Sequence, residues 1–141
     1  MPFSRELFFD VFSRYHAAHG LSVWIFYLAA AFILSAVAKR SVFATAYCLV
    51  FLALIWIWIG VIYHGVYFSQ INPMAYAFAL AFVAEGGILL YALRKRWLSL
   101  RPTRGPIRSV LATALMSYAL LVYPLLGFFF GHGYPAGPIF G

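Results

Sequence analysis

The residues best equipped for chemistry are four histidines and one glutamate. His16, His19, His64 and His132 carry imidazoles that can exchange a proton near neutrality or offer a lone pair to zinc, copper or a haem iron. No two of them stand at the i, i+4 or H-E-x-x-H spacing that puts two ligands on one helical face. A metal or haem site would have to be assembled from separate segments, and the competing reading is of hydrogen-bonded histidines at a wet interface. Glu85, followed by Gly86 and Gly87, lies deep inside a long apolar run. A carboxylate at the centre of a membrane helix costs about 2.5–3.5 kcal/mol on insertion scales, so it is a functional candidate by default. Either it handles a proton, cation or substrate, or it stays protonated and bonds a neighbouring helix. Thr45, Cys48, Thr113, Ser117 and Tyr118 are expected at comparable depth. No Ser-His-Asp elbow, glycine-rich phosphate loop or metalloprotease motif is present, so no enzyme is predicted.

The elements that must position these groups follow from composition. The 141 residues are 65% hydrophobic and 9% charged, and mean hydropathy is +0.92. Soluble domains carry about 25% charged residues, so this chain has too little polar surface to fold in water. It reads as an all-α polytopic membrane protein, a single membrane domain over residues 1–141. The aromatic share of 21% suits rings placed at headgroup level. An isoelectric point near 9.9 would suggest nucleic acid in a soluble chain, but here the basic residues flank apolar spans and set orientation instead. Cys48, the one cysteine, has no internal partner for a disulfide.

Residues 3–19 place Phe3, Leu7, Phe8, Val11, Phe12 and Tyr15 at helical spacing, with Arg5, Glu6, Asp10, Ser13 and Arg14 opposite. Ser4 is the N-cap and Gly20 the stop. This predicts an amphipathic helix in the interface plane, or one packed on the end of the bundle. Four spans follow, at 21–38, 42–63, 73–93 and 107–130, each near the ~20 residues that cross a bilayer. Asn72 and Pro73 are N-cap and first residue of the third. Ala75, Ala79, Gly60, Gly86 and Gly87 read as close-packing positions. Pro124 removes one backbone bond and should kink the fourth helix near Leu120.

Lys39 and Arg40 lie between spans one and two. Arg94, Lys95, Arg96, Arg101, Arg104 and Arg108 lie between spans three and four. Loops 39–41 and 94–108 should therefore be cytoplasmic, with the N-terminus, the uncharged turn after His64 and the tail 131–141 outside. Anionic lipid headgroups are the expected partner of 94–108. This topology puts all four histidines on the outer side, where His64, Asn72, His132 and Tyr63 form a candidate polar cluster. Glu85, Ser117, Thr113 and Thr45 form a candidate intramembrane set.

Trp58-x-Gly60-x-x-Tyr63-His64, Phe68-x-x-Ile71-Asn72-Pro73, Tyr123-Pro124-Leu125-Leu126-Gly127 and Gly131-His132-x-Tyr134-Pro135, with Phe9-x-x-Phe12-x-x-Tyr15, occur together. In this combination the chain resembles a bacterial family of uncharacterised multispanning membrane proteins, sometimes labelled permease-like. The resemblance implies a bacterial inner-membrane location and a glutamine-like residue near Glu85. It also implies hydrophobic segments beyond the tail, so Gly141 is expected to mark a shorter relative, a truncation or an incomplete reading. Three functions fit: a permease-like or channel-like protein, an accessory or scaffold subunit of a larger membrane complex, and a haem- or metal-binding redox protein. No cofactor is predicted under the first two. The expected partners are the bilayer and either copies of the same chain or a larger complex, with no nucleic acid.

Overall fold

A computed structural model describes residues 3–39, 41–99 and 106–129. Helix α1 (Arg5–Ala38) begins at the predicted cap, where Ser4, in extended conformation, accepts a hydrogen bond from the Leu7 N–H at 3.2 Å. That bond satisfies one orphan donor of the first turn. One residue before the predicted stop at Gly20 the helix kinks: His19 has non-helical φ −124° and ψ 21°, and a second helical arm runs from there to Ala38. Ser22 Oγ donates to the His19 carbonyl at 2.7 Å, which satisfies an acceptor at the bend. Segments 3–19 and 21–38 are therefore two helical arms that meet across a kink at His19, one residue from the predicted boundary at Gly20.

Beyond helix α2 (Ala44–Trp58) the chain stays helical past the predicted end at Tyr63. It passes into nine residues of π-helix, Ile59–Tyr67, and then a 3₁₀ turn, Phe68–Gln70. Gly65 and the uncharged sequence around it read as a turn. Near lipid, however, the backbone keeps its hydrogen bonds by remaining helical. The real turn is short. Asn72 Oδ1 accepts from the Met74 N–H at 3.1 Å, and the Asn72 carbonyl from the Ala75 N–H at 2.9 Å. Asn72 thus braces the turn before α3 (Ala75–Lys95), whose N-cap is Met74, so the helix starts two residues later than the predicted Asn72 cap and Pro73 start. α3 ends on Arg96 in the left-handed region, φ 56°. The Arg96 and Trp97 N–H groups bond back to the Leu93 and Ala92 carbonyls, both at 3.1 Å.

α2 is the middle of a row, with α1 on one side and α3 on the other. On the α1 side Phe26 meets Phe51 and Trp58 edge-on, at 6.5 and 5.9 Å. On the α3 side the backbones nearly touch. A Cβ on Gly60 would stand 2.9 Å from the Ala79 carbonyl oxygen, and one on Gly86 would stand 2.9 Å from that of Ala53. The close-packing reading holds for Gly60, Ala79 and Gly86. Ala75 is fully buried at the end of the row, whereas Gly87 meets nothing within 4 Å.

The outside of the row is apolar: Leu21, Trp24, Leu28 and Phe32 on α1, Leu54 and Val61 on α2, Tyr76, Leu80 and Ile88 on α3. Such a surface is far larger than the apolar patches soluble monomers expose, and hydrocarbon is its natural solvent. Arg5–Val37, Ala44–Gln70 and Ala75–Lys95 are each long and apolar enough to cross a membrane. The chain is an all-α, multispanning integral membrane protein.

The segment read as span four is helical throughout its described part: α4 (Pro106–Ser117), a π-wound stretch Tyr118–Val122, and α5 (Tyr123–Phe129). The change of winding falls where Pro124, which lacks an N–H, would leave the Leu120 carbonyl unbonded. Arg40, Arg101, Arg104 and the tail 131–141, with His132, lie outside the described residues, as do the side chains of Arg108, Thr113 and Ser117.

A candidate site at the end of the bundle away from the basic loops

The first arm of α1 lays its apolar face over the end of the α2–α3 hairpin. Val11, Tyr15, Tyr63, Phe68 and Ala75 form a buried cluster there, with Phe3, Phe8 and Phe12 packed against it. This is the bundle-end packing that the sequence offered as the alternative to a helix lying in the interface plane. The rings interlock: Phe3 meets Phe68 edge-on at 5.5 Å, and Phe12 stacks on Tyr63 at 5.1 Å. Two polar contacts tie the arm down. Trp58 Nε1 donates to the Tyr15 hydroxyl at 2.7 Å, and the Arg14 guanidinium donates to Gln70 Oε1 at 3.0 Å. Arg14 also pairs with Asp10 at 3.0 Å, where exposure to solvent keeps the pair weak.

The described histidines distribute around the π-helix. His16 and His19 stay with α1: His16 is buried beside Tyr15 and Phe12. His19 meets Tyr15, Trp58 and Tyr67 at 5.3 to 5.7 Å. His64 sits on the other side, against α3, with Phe82 at 4.7 Å, Phe78 at 5.7 Å and Phe68 at 5.9 Å. Tyr63 lies between the two sides, 5.7 Å from Tyr15 and 5.1 Å from His64. The His64 Nδ1 is buried with no hydrogen-bond partner among the described residues. Three of the four predicted histidines thus reach one end of the bundle. They do not converge on one point: among the described residues no three His, Cys, Asp or Glu side chains could hold a metal ion together.

Helix lengths fix the level of this layer. His19, His64 and Ala75 each lie about twenty residues, or ~30 Å, from the basic-loop end of their helices at Lys39, Ala44 and Lys95. That is one hydrocarbon thickness, so the layer stands at the opposite boundary of the bilayer. Within the predicted outer cluster, Asn72 uses its side chain on its own turn, and Tyr63 is buried on the face away from α3.

Of the intramembrane set, Glu85 and Thr45 have described side chains, and they stand at different depths. Since Gly86 faces Ala53 and Ile57, its neighbour Glu85 is level with Trp56. Thr45 lies two turns below Ala53, about 12 Å away along α2, near the Lys95 end of α3 instead. Counting from the chain's basic residues placed it too deep, because the 39–43 turn itself takes up residues. Glu85 is half-buried, one residue from the tightest point of the α2–α3 crossing. Tyr15, Trp58 and Phe82, which fix the site's geometry, were not legible as a set. Only the i, i+3, i+4 run Phe8, Phe12, Tyr15, His19 signalled a ring face seeking a partner.

A family model described as a family of unknown function, DUF6064, matches residues 5–140. The chain belongs to DUF6064. The match takes in both arms of α1, the π-wound stretch and the 106–129 helix, so scaffold and candidate site lie within the region that defines DUF6064. No match is found among curated proteins or among solved structures. The resemblance to an uncharacterised membrane family thus holds in its coarser form.

Proposed function

We propose that this DUF6064 protein is a small permease-like membrane protein of four spans that recognises a solute at the outer hydrocarbon boundary, beside His64. In this reading loops 39–41 and 94–108 are cytoplasmic and both termini are outside. The observation that carries it is the nine-residue π-helix Ile59–Tyr67 with His64 on it. π-Winding occurs mostly as single turns, frequently at functional positions, and no proline in this stretch forces it. The winding sets Tyr63 toward α1 and His64 toward α3. A buried polar atom without a partner costs about 1–3 kcal/mol, which a solute offering a hydrogen bond to Nδ1 would recover. Phe68, Phe78 and Phe82 supply an apolar wall for the rest of such a solute. The role is binding and passage, without a bond-breaking step or a cofactor.

Native purification in mild detergent tests the reading. The expected particle contains this chain alone or in copies of itself. In proteoliposomes challenged with a panel of small metabolites, His64→Ala should lower solute-dependent swelling while leaving detergent stability near that of the parent. Stoichiometric foreign subunits in the particle would make the chain an accessory part of a larger complex and overturn the proposal.

A further inference from the structure

Independently of the solute site, we propose that the C-terminal turn of α3 binds the phosphate of an anionic phospholipid, with Arg94, Lys95 and Arg96 as its cations and Tyr91 and Trp97 fixing its depth. The chain has ten basic residues and three acidic ones. Glu6 and Asp10 stand on the first arm of α1, at the other end of the bundle. Glu85 lies nine residues inside α3, about 14 Å along its axis from Arg94. None of these three side-chain carboxylates can therefore neutralise Arg94, Lys95 and Arg96, all of which are exposed. Among the described residues these cations have no counter-charge.

The turn is also shaped. Lys95 Nζ lies 5.6 Å over the Tyr91 ring, and Trp97 meets the same ring edge-on at 5.2 Å, so a cation and an indole are fixed on one tyrosine. The N–H groups of Arg96 and Trp97 are tied into the helix end, which holds the turn in place. Arg96 occupies the left-handed position, φ 56°, that favours glycine. A charged residue in a strained conformation is a sign that the side chain is wanted there. α3 runs from Ala75 at one boundary to Lys95 about 30 Å away, which brings these cations out at the phosphate plane. Exposed Tyr91, Trp97 and Leu98 lie beside them, as amphipathic rings do at headgroup level. A free anion would have no use for that apolar border, whereas the acyl chains below a lipid phosphate would.

Native mass spectrometry of the full chain in mild detergent, titrated with phosphatidylglycerol, phosphatidylcholine or inorganic phosphate, reads this directly. Phosphatidylglycerol should be retained over phosphatidylcholine, and equal concentrations of inorganic phosphate should not displace it. A cation near an anionic surface contributes about fivefold in affinity. Arg96→Gly should thus weaken retention about fivefold without lowering thermal stability, since glycine suits φ 56°. Adding Arg94→Gln and Lys95→Gln should bring the loss to about a hundredfold. Parental retention in the triple variant, or equal retention of both lipids, would overturn the proposal. So would displacement by inorganic phosphate, which would mark a site for a free anion.

Discussion

Glu85 is one of only three acids in the chain and the one placed among apolar residues well inside a span. It is half-buried, level with Trp56 and next to the Gly86 crossing. Glutamine matches a carboxyl in shape and offers both a donor and an acceptor to a neighbouring helix. Glu85→Gln is therefore expected to leave folding and activity nearly unchanged. Glu85→Leu should loosen the bundle by about 0.6–2 kcal/mol, measured as detergent stability. A glutamine form that is fully folded but inactive would show instead that the residue must ionise. At this scale the sequence was legible by type: His64 and Glu85 stand out as polar groups in apolar surroundings. Their neighbours were not legible, because Phe78 and Phe82 meet His64 only in the register that the π-winding sets.

Among the elements, the α2–α3 crossing is the tightest contact and the easiest to perturb selectively. A methyl group on Gly60 would meet the Ala79 carbonyl oxygen at 2.9 Å, the Phe82 Cβ at 3.0 Å and Val83 Cγ2 at 3.1 Å. Backbone cannot yield as a flexible side chain can, so Gly60→Ala should destabilise by about 1–3 kcal/mol. Gly87 points into open space, and alanine there removes up to about 1 kcal/mol of helix-propensity cost. Gly87→Ala should be neutral or stabilising, and thermal scans in detergent compare the pair. Equal effects would mean that the two helices do not cross at Gly60. The sequence disclosed the apolar runs, the Ser4 cap and a helix boundary at Gly20, one residue from the kink at His19. It misplaced the end at Tyr63 for a physical reason: cues that end helices in water are overridden where leaving the helix would strand backbone groups near lipid.

The whole molecule is polarised along the bilayer normal. Lys39 and Arg94–Arg96 stand at one end of the row, and the aromatic and histidine layer stands at the other, about one hydrocarbon thickness away. The solute reading depends on that layer facing outward, and the lipid reading depends on the basic end facing the cytoplasm, where anionic headgroups and the positive-inside bias coincide. A single labelling experiment decides both. In a Cys48→Ser background, Gln70→Cys samples the exposed end of the π-wound rod and Ser41→Cys samples the turn between α1 and α2. Whole cells treated with a membrane-impermeant thiol reagent should label position 70 and spare position 41 until the membrane is permeabilised. Labelling of position 41 in intact cells, with position 70 protected, would contradict this orientation and remove the outward-facing site with it.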